Sequence, residues 1–162
     1  MGKKNSVKKT NAMRILDQNK LDYDVLEYDV KDGSIDGVSV ANKVNRSVES
    51  VFKTLVMVGG SKDYYVAMVP VEANVNMKLV AKHFGEKKIE MIPVKDIMKI
   101  TGYIRGGCSP LGMKKSYKTV IDESVSDIEK IVFSAGKQGL QIEMLGQDLI
   151  DVLSCDVSKV TD

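Results

Sequence analysis

Residues 102–112 read Gly-Tyr-Ile-Arg-Gly-Gly-Cys-Ser-Pro-Leu-Gly, and four glycines with a proline in eleven residues are incompatible with a regular helix or strand. Glycine permits positive φ and the close approach of another group, whereas proline fixes one φ and removes one N–H donor. We therefore expect this segment, the glycine loop, to present main-chain N–H groups to something negative or carbonyl-like. A plain surface turn is the alternative interpretation, since Gly-Gly pairs are common in turns.

The chain on either side of the glycine loop predicts a mixed fold. Apolar periodicity and capping residues predict helices at 7–19, 38–44, from Asn74 or Asn76 to Phe84, 94–100 and 147–153. Strands are predicted at 23–28, 51–58, 64–69, 89–92, 117–122, 130–134 and 140–145. Hairpin-length connections lie at 59–63 and 136–139. We expect an α/β fold of the α+β type, with a curved, mixed, mostly antiparallel sheet or partial barrel of about seven strands and flanking helices.

Composition indicates an ordinary soluble protein, with 43% hydrophobic and 28% charged residues. No Ser/Gly/Pro-rich linker and no internal repeat divides the chain, so residues 1–162 predict a single domain. The apolar runs are too short to cross a bilayer, and no apolar signal region follows the lysine-rich N-terminus. We expect a cytoplasmic protein without a membrane partner.

Several reaction classes lack their residues in this chain. The single histidine, His83, leaves no Ser-His-Asp triad and no multi-histidine metal site. Cys108 and Cys155 are isolated and without CxxC spacing, which predicts neither a disulfide framework nor a zinc site. Neither a Walker phosphate loop nor a GxGxxG fingerprint is present, which disfavours NTP hydrolysis and nicotinamide chemistry. We expect no metal and no cofactor.

The charge is unevenly distributed around the glycine loop. Residues 78–118 contain ten Lys/Arg and three Asp/Glu, whereas residues 119–162 contain three Lys/Arg and nine Asp/Glu. A basic segment of this kind would attract a polyanion and guide phosphates toward the loop; a solvated lysine surface is the alternative. The whole chain has only three arginines, so recognition of shape and phosphate is favoured over base readout.

A lysine interrupts the apolar strand predicted at 51–58. Strand alternation places Lys53 with Val51 and Leu55, on the face opposite Phe52 and Thr54. Either its stem reaches water at the rim of a barrel, or its ammonium group lines a pocket that receives an anionic or carbonyl group. Taken alone, Thr54 is an ordinary strand residue.

Three segments together carry a resemblance to a known family: residues 52–56 (Phe-Lys-Thr-Leu-Val), the glycine loop with Lys114 and Lys115 behind it, and residues 134–140 (Ser-Ala-Gly-Lys-Gln-Gly-Leu). From about residue 10 to residue 153, the chain resembles the YbaK/EbsC family of aminoacyl-tRNA deacylases, which is related to the editing domain of bacterial prolyl-tRNA synthetase. The resemblance implies removal of a misattached amino acid, most often cysteine, from tRNA(Pro). The EbsC name within the family suggests the alternative, a non-catalytic regulatory or tRNA- or nucleotide-binding module.

The resemblance also implies roles for individual residues. Lys53 would engage the tRNA end or the ester, and the backbone from Gly106 through Gly107 to Pro110 would hold the aminoacyl group or its carbonyl. The thiol of a cysteinyl substrate would itself attack the ester carbonyl and release a cyclic thioester, so Cys108 is expected to be a loop residue. Substrate binding is assigned to Tyr28, Thr54, Ser109, Pro110, Ser134 and Gly136, and nucleic-acid binding to Arg105, Lys114 and Lys115.

The chain departs from the family pattern at two places. It has Ile35-Asp36-Gly37 where many relatives carry an aromatic residue before a glycine, and Ala135 replaces a glycine in the Ser-Gly-Gly turn. Both changes would affect amino-acid specificity more than the fold. Because three arginines offer little base-reading capacity, we expect tRNA selection to come from prolyl-tRNA synthetase in a ternary complex with the aminoacyl-tRNA.

Overall fold

The computed structural model describes residues 8–162, and within them the chain forms five α-helices and eight strands. In chain order these are α1 (Asn11–Gln18), β1 (Asp24–Glu27), α2 (Gly37–Lys43), β2 (Phe52–Gly59), β3 (Tyr64–Pro70), α3 (Met77–Phe84), β4 (Ile89–Met91), α4 (Ile97–Thr101), β5 (Lys118–Asp122), β6 (Lys130–Ser134), β7 (Leu140–Leu145), α5 (Gly146–Leu153) and β8 (Asp156–Ser158). Short 3₁₀ helices at Val94–Asp96 and Glu123–Asp127 precede α4 and β6. No helix in the described part of the chain is both long and apolar enough to cross a bilayer.

The strands form two sheets that meet near the start of β2. One has the order β1-β7-β6 and is antiparallel, and the other has the order β4-β2-β3-β5-β8. In the larger sheet β2 is antiparallel to β3 and β4, whereas β5 is parallel to β3 and β8. A parallel bridge between Val51 and Val132 joins the sheets. The expected mixed and mostly antiparallel fold is confirmed, with eight strands in two open sheets rather than about seven in one.

Local sequence signals place most element boundaries where they were expected. The side chain of Asn76, rather than that of Asn74, caps α3 by accepting a hydrogen bond from the N–H of Leu79 at 3.1 Å. Gly85 ends this helix in the left-handed conformation, with φ at +75°. Thr10 caps α1, which begins at Asn11. Of the longer helix predicted from residue 7, residue 7 lies outside the described residues and residues 8–10 are not helical.

Two elements differ from the sequence expectation. The helix predicted at 94–100 begins as a 3₁₀ turn after Pro93 and becomes α-helical only at Ile97. Strand β8 was not expected, because its three residues are mostly exposed and lack an alternating apolar pattern. It exists because its backbone pairs with that of β5, a tertiary contact that no local pattern signals.

The largest apolar cluster lies among α1, α5 and the three-stranded sheet. Five of its residues are at most 2% exposed: Met13, Leu16, Phe133, Ile142 and Leu149. Burial of such side chains contributes about 1.5–3 kcal/mol each. The core therefore fixes the β6–β7 hairpin in place, and this hairpin carries residues 134–141 to the edge of the glycine loop.

Candidate functional site

A cavity of about 180 Å³ lies between the amino end of β2, the glycine loop, α2 and the β6–β7 hairpin. Its lining contains both polar and apolar residues. The apolar residues, which we call the apolar wall, are Ile35, Gly37, Val40, Val51, Phe52 and Val71, and the other residues are Tyr28, Lys53, Thr54, Gly106, Cys108, Ser134 and Gln141. The three segments that carried the family resemblance thus border one space, although they are far apart in the chain.

Among the described residues that line the cavity, Lys53 alone is charged. Its side chain is partly buried, and this desolvation lowers the pKa of its ammonium group. Within residues 8–162 it makes no hydrogen bond and no ion pair. A partly desolvated cation without a counter-ion favours the entry of an anionic or carbonyl group.

Four consecutive residues, 51–54, border the cavity. If only one face of the strand bordered the cavity, only alternate residues would line it. Lys53 and Thr54 therefore both line the cavity, although they are expected on opposite faces of the strand. The reason is position: β2 begins only at Phe52, and the cavity lies across this end of the strand, where the two sheets meet.

Two hydroxyl groups in the cavity lining lack hydrogen-bond partners in the part of the chain that the structure describes. The hydroxyl oxygens of Tyr28 and Thr54 are buried, and neither has a hydrogen-bond partner among the described residues. A buried hydroxyl without a partner costs about 1–3 kcal/mol. Bound substrate could offset this cost by supplying the missing hydrogen bonds.

The glycine loop is held together by its own hydrogen bonds. The hydroxyl of Tyr103 donates to the carbonyl of Leu111, the N–H of Gly107 donates to the carbonyl of Ile104 at 3.0 Å, and the N–H of Leu111 donates to Ser109 Oγ at 3.3 Å. Gly107, Ser109 and Pro110 are buried and do not line the cavity, although they were assigned to the site. Their contribution lies in the shape of the loop.

Gly106 is the glycine of this loop that borders the cavity. Its φ is +80°, and a Cβ built there would lie 2.9 Å from Ile35 Cδ1 and 3.1 Å from Gln138 Nε2. The Gln138 amide donates to the carbonyl of Arg105 at 2.7 Å and thereby fixes the loop to the β6–β7 hairpin. Within residues 8–162 the N–H groups of Gly106 and Cys108 donate to no acceptor.

The β6–β7 hairpin supports the glycine loop and contributes one hydroxyl to the cavity. Ser134 lines the cavity, and its Oγ accepts a hydrogen bond from the N–H of Gly136 at 3.2 Å. Gly136 lies against the ring of Tyr103, where an added Cβ would approach Cε1 to 2.8 Å. It therefore supports the loop from behind and does not line the cavity.

The two departures from the family pattern have different surroundings. Ala135 is fully buried in the largest apolar cluster and is not part of the cavity lining. Asp36 caps α2 by accepting hydrogen bonds from the N–H and the hydroxyl of Ser39, while its neighbour Ile35 lines the cavity. Of the residues at these two sites, Ile35 and Gly37 thus border the cavity, and Ile35 is the one of this pair that has a side chain.

Cys108 borders the cavity, but its thiol is a poor nucleophile there. Burial raises the pKa of Cys108 to about 11. The thiolate, not the thiol, is the reactive form, so Cys108 stays almost entirely unreactive near neutral pH. This agrees with the expectation that it is a loop residue.

Gln141 is a cavity residue that sequence reasoning missed. It is 5% exposed, and its amide nitrogen makes only a long contact of 3.4 Å to the carbonyl of Leu140. The predicted hairpin contained the signal, because a turn at 136–139 pairs Ser134 with Gln141 across the two strands. The apolar wall from Val40 and Val71 had no comparable signal.

A second opening, of about 500 Å³, adjoins the cavity through the shared residues Ile35 and Gly106. Arg105 lines this opening, so it lies beside the cavity. Lys114 and Lys115 are exposed and line neither space. Within residues 8–162 no three His, Cys, Asp or Glu side chains are grouped closely enough to hold a metal ion.

Comparison with known proteins identifies the family. A curated protein of Enterococcus faecalis (strain ATCC 700802 / V583), named "Putative Cys-tRNA(Pro)/Cys-tRNA(Cys) deacylase EbsC", is 38% identical over 161 residues, which span 99% of this chain and 98% of that protein. A crystal structure described as that of "a putative trans-editing enzyme for prolyl tRNA synthetase" matches with a TM-score of 0.82 at 17% identity, over 96% of this chain and 99% of the other. The structure of a hypothetical protein matches with a TM-score of 0.86 at 16% identity, over 94% and 100%.

The two structural matches show a shared fold, and the sequence matches go further. Residues 35–152 match the model of the aminoacyl-tRNA editing domain. Together with the relative that is 38% identical along the whole chain, this match confirms the resemblance stated from the sequence. This chain belongs to the aminoacyl-tRNA editing domain family, in its YbaK/EbsC branch.

Proposed function

We propose that this protein is a deacylase that removes misattached cysteine from tRNA(Pro) in trans. One observation supports the proposal above all: Lys53, the hydroxyl-bearing residues Tyr28 and Thr54, and Gly106 border the same small cavity. Within residues 8–162 the two hydroxyl groups have no hydrogen-bond partner and the N–H of Gly106 has no acceptor. This set supplies a cation and hydrogen-bonding groups for an aminoacyl ester, while Cys108, the one cysteine in the lining, is held as an unreactive thiol.

The size of the cavity favours the aminoacyl group over the whole tRNA terminus. Its volume of about 180 Å³ lies below the ~300–1,000 Å³ typical of sites for complete small-molecule ligands. The terminal ribose and base would then lie in the adjoining opening beside Arg105. Lys114 and Lys115, both exposed, would contact tRNA phosphates further out.

The proposed chemistry needs no nucleophile from the protein. The sulfur of the cysteinyl group attacks its own ester carbonyl, the ester C–O bond breaks, and the thiol proton passes to the departing ribose oxygen. A cyclic thioester and free tRNA result. The reacting groups belong to one molecule, so the reaction benefits from a high effective molarity. Each well-placed N–H donor on the developing oxyanion is worth about 100-fold to 1,000-fold in rate.

Selection of the tRNA would depend on a partner. A synthetase pocket separates amino acids of similar size poorly, so editing at a second site is the physical remedy. We propose that prolyl-tRNA synthetase presents the mischarged tRNA in a ternary complex, which places the protein in the cytoplasm where charging takes place. Co-migration of the three components would support this, and efficient discrimination among tRNAs by the isolated protein would contradict it.

Release of amino acid from purified aminoacyl-tRNAs tests the activity. We expect release from cysteinyl-tRNA(Pro) and little from alanyl- or prolyl-tRNA(Pro). Lys53→Met keeps the aliphatic stem but removes the charge, and should lower the rate about 100-fold or more. Lys159→Met, an exposed lysine outside the cavity, is the matched control. If no amino acid is released above background from any tested aminoacyl-tRNA, the alternative of a non-catalytic binding module is favoured. If Lys53→Met is as active as the wild type, Lys53 has no part in the mechanism.

A further inference from the structure

The charge of the cavity is unbalanced. Its described lining contains one cation, Lys53, and no aspartate or glutamate. Cys108 does not compensate, because its thiol stays protonated near neutral pH. An ammonium group that is partly removed from water and has no counter-ion is stabilised by any anion small enough to reach it.

The aminoacyl ester and the free amino acid differ in what they offer to this cation. The ester carbonyl carries only a dipole, whereas the free acid presents a full negative charge on two oxygens. The ammonium group can donate a hydrogen bond to either acceptor, but only the carboxylate adds the Coulomb attraction between two opposite charges. On charge alone, the cavity should therefore prefer a carboxylate to the ester from which it was formed.

The opposite end of an amino acid also finds suitable groups in the cavity. The amide oxygen of Gln141 accepts no hydrogen bond within residues 8–162, and the hydroxyl oxygens of Tyr28 and Thr54 are likewise unpartnered. All three residues line the cavity together with Lys53. They are acceptors for an ammonium group, and amide and hydroxyl oxygens need no charge of their own for that role.

We propose that the cavity is also a binding site for free α-amino acids, held by their carboxylate at Lys53 and by their ammonium group at Gln141, Tyr28 and Thr54. The binding site itself follows from the charge and polarity of the cavity. Its regulatory meaning rests on the proposed deacylase function: a free amino acid would compete with the aminoacyl ester for the same space.

The two routes of ester cleavage then differ in product inhibition. When water cleaves the ester, the C–O bond breaks, the ribose hydroxyl leaves and the amino acid loses a proton to become a carboxylate, which Lys53 retains. When the substrate thiol cleaves it, the product is a cyclic thioester without a carboxylate. Cysteine released by its own thiol would therefore leave readily, whereas amino acids that need water would accumulate in the cavity.

Titration of the protein with L-alanine and with L-alanine methyl ester, followed by NMR, isolates the carboxylate. At about pH 6 both ligands keep their ammonium group, so they differ only at the carboxyl end. We expect alanine to bind at least tenfold more tightly than its ester. This preference should disappear in Lys53→Met, persist in Lys53→Arg, which keeps a cation, and be unchanged in Lys159→Met.

The pH dependence follows from the same ion pair. Burial lowers the pKa of Lys53, whereas a bound carboxylate stabilises the ammonium form and raises that pKa. Affinity for alanine should therefore fall as the pH rises through the pKa of Lys53. Equal binding of acid and ester, a preference retained in folded Lys53→Met, or no saturable binding of alanine would overturn the proposal. The titration contains no tRNA. Alanine binding without deacylation would therefore contradict only the proposed function, and deacylation without alanine binding only this inference.

Discussion

Replacement of Gly106 by alanine is the sharpest structural test of the glycine loop. The added Cβ would lie 2.9 Å from Ile35 Cδ1 and 3.1 Å from Gln138 Nε2, on a backbone with φ at +80°. Ile35 lines the cavity, and Gln138 holds the carbonyl of Arg105 at 2.7 Å. The substitution therefore displaces a wall of the cavity and one attachment of the loop at the same time.

The magnitude has two parts. An L-residue in the left-handed region costs about 1–2 kcal/mol, and loss of the Gln138 hydrogen bond costs about 0.5–1.5 kcal/mol more. Together they lower the free energy of unfolding by about 1.5–3.5 kcal/mol. The effect on rate is separate: a shift of about 1 Å in a group that orients the substrate costs about 100-fold.

Gly85→Ala provides a control with matched backbone strain. Gly85 has φ at +75°, and a Cβ built there meets nothing within 4 Å. We expect Gly85→Ala to lose about 1–2 kcal/mol in urea denaturation and to keep wild-type deacylation. Gly106→Ala should lose more stability and about 100-fold in deacylation of cysteinyl-tRNA(Pro). Equal activity of the two variants would refute the idea that Gly106 shapes the reacting site.

Three further expectations concern neighbouring groups. Lys43 Nζ donates to Asp32 Oδ1 and to two main-chain carbonyls, and thereby holds the loop before α2 in position. Lys43→Met should raise the KM for the aminoacyl-tRNA several-fold with little change in kcat, and Lys43→Arg should restore the KM. A fall in kcat alone would contradict this role in positioning the loop. Arg46 donates to both carboxylate oxygens of Glu143, at 2.6 and 3.0 Å, and lowers the pKa of that carboxyl, so Arg46→Met should lower the free energy of unfolding by about 1–2 kcal/mol near neutral pH. In denaturation at lower pH, the difference between wild type and variant should shrink as Glu143 becomes protonated below its usual pKa. The rate of Cys108 alkylation, measured by mass spectrometry, should rise about tenfold per pH unit between about pH 8 and 10, because burial raises the pKa of the thiol to about 11. A plateau of this rate near pH 9 would contradict the raised pKa.

Sequence reasoning succeeded where the signal was local. The turn at 136–139, the glycine that ends α3 and the two strands that flank this turn each depend on neighbouring residues, and all appear in the structure. Strand β8 was missed because backbone pairing with β5 creates it and its own residues are mostly exposed. The arrangement of the strands in two sheets was also missed, because it depends on contacts between residues far apart in the chain, such as the bridge between Val51 and Val132 where the sheets meet.

The candidate site shows the same limit. Lys53 and the glycine loop were singled out because a cation in an apolar strand and clustered glycines are visible in one dimension. Residues 51–54 all border the cavity, so the face predicted for Lys53 does not by itself decide which neighbours share its site. Gly107, Ser109 and Pro110 belong to the same motif as Gly106, yet the internal hydrogen bonds of the loop leave only Gly106 and Cys108 at the cavity. Which members of a motif face inward is decided by three-dimensional contacts.

The apolar wall of the cavity bears on how the proposed enzyme would select cysteine. Ile35, Val40 and Val71 offer no group that distinguishes a thiol from a methyl group by hydrogen bonding. A difference of one such atom in an apolar pocket gives only about 10-fold to 200-fold discrimination. An internal nucleophile, by contrast, acts as an all-or-none criterion, because a side chain without one cannot react by this intramolecular route. Under the proposed mechanism the substrate's own reactivity supplies the larger factor, so a cavity with a plain apolar wall suffices for selective removal of cysteine.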